Sequence, residues 1–197
     1  MRNRDFLIIV LIFQLFFTSC NLEKKIKIKQ IASDENILIY KSFRNVKSDS
    51  ISLDIPIEFD LNINEFPYIR SFIIYYYSNQ KYLSNIIDYK IYNKENSKII
   101  YSIEELNPKN IPNKILIRSG NYLISEKDAK LLLKKYNKTK LLKDLKFGDT
   151  IKMIPLNQFR MENKNIINEL SKANDSIIFR INIGKDNPIL VKQKINW

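Results

Sequence analysis

Hydrophobic and polar residues alternate most regularly over residues 51–63. There Ile51, Leu53, Ile55, Ile57, Phe59, Leu61 and Ile63 are separated by Ser52, Asp54, Pro56, Glu58, Asp60 and Asn62. A period of two over that length predicts a strand with one buried and one wet face. Pro56 has no N–H to give to a ladder, which places the strand at a sheet edge or bends it there. Residues 68–77 (YIRSFIIYYY) are apolar at both parities and read as a central strand, and residues 36–43 form a further one. Residues 83–92 and 98–103 flank Asn93-Lys94-Glu95-Asn96 as the arms of a hairpin.

Beyond the loop at 107–112 (NPKNIP) the pattern changes. A short strand over 114–118 precedes a helix with a clear start signal: Ser125 as cap, Asp128 three residues on to return the bond. Ala129, Leu132, Leu133 and Tyr136 make its apolar face. A strand over 149–154 ends at Pro155, and a second helix lies within 158–173 with Phe159, Ile166, Ile167 and Leu170 inward. Two strands close the chain, over 176–183 and 189–195. The expected fold is α+β: an antiparallel sheet or small sandwich over 36–103, then a mixed half over 104–197 with two helices and about four strands. The pattern leaves open whether the halves form one domain or two.

The N-terminus follows a different logic. Arg2 and Arg4 precede an apolar run over 6–17 (FLIIVLIFQLFF), closed by Thr18-Ser19-Cys20. A basic start, a short apolar run and small residues are the layout of a cleavable export signal. The run is shorter than the roughly 20 residues that span a hydrocarbon core. Phe17-Thr18-Ser19-Cys20 resembles the lipobox of bacterial lipoproteins, with Phe17 where Leu is commonest. The resemblance covers about the first twenty residues. It implies residues 1–19 as signal peptide, cleavage before Cys20, and acylation of Cys20, so that membrane lipid becomes a partner through that residue. Asn21 in place of Asp implies the outer membrane, and the lack of an acidic run after Cys20 points to its periplasmic face. Residues 20–35, with Lys24, Lys25, Lys27 and Lys29, then read as lipidated Cys and tether, although the alternation at Ile26 and Ile28 equally permits a first strand.

Composition mainly excludes. The chain has no His, which removes Ser-His-Asp and Cys-His nucleophile activation and every His-containing metal site. Cys20 is the only Cys and Gly120, Gly148 and Gly184 the only glycines, so neither a disulfide nor a Gly-rich phosphate cradle is available. No cofactor and no metal site is implied. The net charge is +12, and +11 without residues 1–19. After residue 19 that positive charge is mostly Lys, with Arg only at 44, 70, 118, 160 and 180. Arg carries most bidentate base and phosphate recognition, so nucleic acid is not the expected partner. Lys, Ile, Asn and Tyr are enriched together, as AT-rich codons would make them, and a weak attraction to anionic lipid headgroups or lipopolysaccharide is the functional alternative.

Three groups remain as candidate sites. Tyr75, Tyr77 and Tyr89, within a cluster that includes Phe72, Tyr76, Tyr92 and Tyr101, could form a stacking platform, though Tyr is also at home in strands. Lys134, Lys135 and Lys138 belong to a basic stretch over 127–146 that reads as a solvated helix face or an acidic-partner patch. Asp54, Glu58 and Asp60 share the wet face of the alternating strand and could serve as paired acids. No catalytic residue emerges. The expected function is a non-catalytic envelope lipoprotein, a binding, assembly or accessory module for an unknown envelope protein. The alternatives are an immunity lipoprotein that neutralises a periplasm-directed toxin and, behind it, a hydrolase using carboxylates only.

Overall fold

A computed structural model describes residues 26–41, 50–63, 69–84, 88–100, 111–146, 148–184 and 187–197. The export signal, Cys20, residues 21–25 of the tether, Tyr101, residues 42 and 43 of the second strand and the loop at 107–110 lie outside them.

The described chain is predominantly β, with two antiparallel sheets and three helices. The larger sheet contains β1 (Lys27–Ile31), β2 (Asn36–Lys41), β3 (Ser50–Asn62), β6 (Tyr89–Asn93), β7 (Lys114–Ser125) and β8 (Ile151–Pro155), in the order β6-β7-β3-β2-β8 with β1 also on β3. The smaller has β4 (Ile69–Ser78), β5 (Lys81–Tyr82), β9 (Ser176–Ile183) and β10 (Ile189–Lys194), in the order β10-β9-β4-β5. The helices are α1 (Glu126–Lys135), α2 (Leu156–Glu162) and α3 (Lys164–Lys172). The halves divided near residue 103 interleave: β3 pairs with β7 in one sheet and β4 with β9 in the other.

The odd-numbered face of β3 organises the core. Ile57, Phe59, Leu61 and Ile63 meet Phe72, Ile74, Ile177, Phe179 and Ile181 of the smaller sheet. Phe179 lies edge-on to Phe59 at 5.2 Å and stacked on Phe72 at 6.0 Å between centroids. Ile51, Leu53 and Ile55 instead meet Leu132, Leu133, Phe159 and Leu170 of the helices. One strand thus serves two apolar clusters, because thirteen residues are longer than either cover.

The expectation for Pro56 is overturned. β3 is central, with β7 along one side and both β1 and β2 along the other. The ladder to β1 stops at Ile31↔Glu58 and the ladder to β2 starts at Leu38↔Asp54. Residues 55–57 therefore face an interruption on that side, and the missing N–H leaves no ladder acceptor without its donor. The wet face is overturned as well: Ser52, Asp54, Pro56 and Glu58 are buried, and of that set only Asp60 and Asn62 are exposed. Residues 27–31 are a strand rather than tether, because Ile28 buries into the inter-sheet cluster while Lys27 and Lys29 stay wet.

Other departures are local. The strand expected over 114–118 runs on to Ser125 through a bulge opposite Asp54. Gly120 makes this possible, since a side chain there would collide with the Tyr40 hydroxyl. The chain turns back at Asn93, whose N–H donates to the Lys98 carbonyl at 2.9 Å, but the first arm begins only at Tyr89 and the described part of the second contributes a single bridge, Ile99 to Tyr92. β4 has β9 along its length and, among the described residues, only the two residues of β5 on its other side. Ser125 does cap α1, accepting from the Asp128 N–H at 3.0 Å, while its hydroxyl donates to the Asp128 carboxylate at 2.6 Å. The second helix is broken into α2 and α3 at Asn163, whose side-chain amide donates to the Phe159 carbonyl and to the Tyr136 hydroxyl.

Candidate functional site

The interruption between β1 and β2 creates the most chemically distinctive place among the described residues. Residues 32–35 leave the sheet there and carry Ser33 and Glu35 toward the even-numbered face of β3. Asp54 and Glu58 stand on that face on either side of Pro56, and Arg118 of β7 is the direct cross-strand neighbour of Pro56. Glu58 is 5% exposed and Asp54 7%. Charges this buried must be paired or neutralised.

They are paired by two cations. One Arg118 guanidinium nitrogen, Nη1, donates to Asp54 Oδ1 at 3.4 Å and to the Asn36 carbonyl at 3.2 Å; Nη2 donates to Glu35 Oε2 at 3.1 Å. Lys94, from the turn after β6, reaches Glu35 at 2.5 Å, Asp34 at 3.3 Å and Glu58 at 3.5 Å. The Ser33 hydroxyl donates to Glu58 at 3.1 Å. Four acids thus share two cations, and Lys90 adds a more distant positive field at Asp54. Of the acids weighed as a catalytic set, Asp54 and Glu58 are drawn into this network, while Asp60 is exposed outside it.

Burial pushes the Asp54 carboxyl up to about 6 from 3.8, and Arg118 offsets only part of that. Glu35 moves the other way, lowered chiefly by the hydrogen bond from Lys94. The consequence for stability has a definite sign. An Asp whose folded pKa is raised stabilises the fold fully below its unfolded pKa, and that contribution is lost as pH rises through about 6. Between about pH 5 and pH 7.5 Asp54 should therefore cost the fold on the order of 1–2 kcal/mol. Asp54→Asn should remove that slope, and urea midpoints of both proteins across this range check it. Glu35 contributes nothing to the comparison, since its stabilisation is lost only as pH falls through a still lower range.

The tyrosines do not share one surface. Tyr75 and Tyr77 alternate with buried Phe72, Ile74 and Tyr76 along β4 and point away from the core. Tyr89 is buried between the sheets, its hydroxyl donating to the Ile74 carbonyl at 2.9 Å, so it presents no surface for contact. The lysines also divide. Lys134 is exposed; the Lys135 ammonium donates to the Glu162 carbonyl at 2.9 Å and to Asn163 Oδ1 at 3.1 Å; Lys138 is partly buried. Lys130 pairs with Glu126 at 2.6 Å and Lys140 with Asp149 at 3.0 Å, so part of this basic stretch is compensated locally.

The network around Arg118 is not visible in the sequence because four separate segments assemble it: residues 33–36, β3, the turn after β6 and β7. Among the described residues no helix is long and apolar enough to cross a membrane. Comparison of the chain with protein-family models, with curated proteins and with solved structures found no match.

Proposed function

We propose that the chain is a membrane-anchored envelope lipoprotein, held by acylated Cys20 at the periplasmic face of the outer membrane and acting as a binding or assembly module rather than a catalyst. The observation that carries this reading is the N-terminal sequence: a basic start, the apolar run over 6–17 and Thr18-Ser19-Cys20. One acyl chain holds a protein only marginally, so the two or three chains that a lipobox Cys receives make the attachment durable.

The fold gives the anchor a short lead. Six residues separate Cys20 from Lys27, where β1 begins. Fully extended, they span about 20 Å, which keeps the folded part close to the membrane surface. The buried acids support a binding role over hydrolysis, because Asp54 and Glu58 are already engaged by Arg118, Lys94 and Ser33. Metabolic labelling with a palmitate analogue should mark the wild-type chain and leave Cys20→Ala unmarked. Equal labelling of the two would reject the anchor.

A further inference from the structure

The smaller sheet has one face closed by the larger sheet and one that no described element covers. Strand register places Tyr77 beside Ser176, Tyr75 beside Ile178, and Arg180 between Ile73 and Leu190 on the open face. Tyr82 of β5 pairs with Tyr77 on the same side. Tyr82 is 65% exposed and Leu190 64%, at opposite edges of the sheet. Isolated apolar residues on a surface mean little, but here they belong to one sheet face with an amphipathic tyrosine cluster between them.

Charge sharpens the picture. The strands β4, β5, β9 and β10 hold five Lys or Arg and no Asp or Glu. Arg180, Lys192 and Lys194 lie on the open face, and among the described residues none of them forms an ion pair. Around α1, by comparison, Glu126 and Asp149 answer Lys130 and Lys140. The open face therefore combines uncompensated cations, phenol hydroxyls and two exposed apolar side chains, the mixture that suits the headgroup layer of a bilayer.

The aromatic geometry separates this from a stacking platform. Tyr75 and Tyr77 both meet Tyr82 edge-on, at interplanar angles of 68° and 65°. The Lys192 ammonium sits over the Tyr77 ring, 5.4 Å from its centroid. One face of the Tyr77 ring is thus taken by an ammonium group, and the three rings meet edge to face rather than lying side by side as an open platform. From the charge complementarity and this arrangement we infer that the open face of the β10-β9-β4-β5 sheet docks on an anionic, phosphate-bearing lipid surface.

The inference goes beyond acylation and is tested without it. Every described element lies between Lys27 and Lys194, so the chain from residue 21 onward retains the whole described fold and lacks Cys20. That protein should sediment with phosphatidylcholine vesicles containing phosphatidylglycerol, not with phosphatidylcholine alone, and should be released by salt. Lys192 and Lys194 are exposed and replaceable without touching the core. At about 1 kcal/mol for each cation near such a surface, Lys192→Gln with Lys194→Gln should weaken vesicle binding roughly 30-fold. Lys134→Gln with Lys138→Gln should leave it unchanged. Unchanged binding by the sheet variant, loss in the helix variant instead, equal binding to neutral vesicles, or tighter binding to a single-stranded oligonucleotide than to the anionic vesicles would each overturn the assignment. Loss of Cys20 labelling would bear on the anchor alone.

Discussion

Phe179→Ala should lower the stability of the chain by about 3–5 kcal/mol, measured as a fall in the urea midpoint. Phe179 is fully buried on β9, packed between Phe59 of the larger sheet and Phe72 of its own. Deleting its ring removes apolar contact from both sheets at once. Neither sheet can follow the other inward without moving β3, whose far end is fixed against the helices. The void should therefore persist rather than collapse, which puts the cost toward the upper part of that range. A domain of ordinary stability holds about 5–15 kcal/mol in all, so this single change should leave a marginal protein. Leu123→Ala, at an exposed position on β7, should stay within about 0.5 kcal/mol and serves as the control.

Arg118→Met should be comparably damaging, though for an electrostatic reason. The substitution keeps much of the stem but removes the guanidinium that serves Asp54, Glu35 and the Asn36 carbonyl. Breaking a buried pair from one side leaves an uncompensated charge and costs about 3–5 kcal/mol. Glu35 retains Lys94, so Asp54 carries most of the loss. Its carboxyl is already raised, and without Arg118 it should rise further and remain neutral over a wider range. The penalty should therefore be larger at about pH 8 than at about pH 5. Adding Asp54→Asn should recover a good part of it. A double-mutant cycle in urea denaturation at both pH values measures the coupling directly.

Both predictions concern residues whose partners are distant in sequence, and that is also where sequence reading failed. The odd-numbered stripe of β3, the cap at Ser125 and the strands over 176–183 and 189–194 were legible because period and capping are local signals. The position of β3 within the sheet was not. Pro56 argues for an edge in any single-strand reading, and only the interruption between β1 and β2 makes a central place possible. Gly120 carried no local signal, whereas its role is to leave room for the Tyr40 hydroxyl. Asn163 carried no visible break signal, since its contacts with Phe159 and Tyr136 arise only after the helices dock. Alternation also identified Asp54 and Glu58 as sharing a face without revealing what covers that face. For Tyr89, clustering on neighbouring strands left strand packing and a stacking platform both open, and the structure gives packing, with its hydroxyl donated to the Ile74 carbonyl of β4.

The interruption opposite Pro56 has a consequence for how the sheet comes apart. Five residue pairs join β1 to β3 and four join β2 to β3, with residues 55–57 between the two ladders. No hydrogen-bonded rung links one ladder to the other along that edge. β2 is further held by β8, while among the described residues β1 has β3 as its only ladder partner. The two ladders are thus not continuous, and β1, held besides by two hydrogen bonds between Gln30 and Asn196, can open without breaking a β2–β3 rung or reaching the helix-covered cluster. A chain loaded from its N-terminus would give way first at β1, with Lys94 and Arg118 still bracing the junction at Glu35.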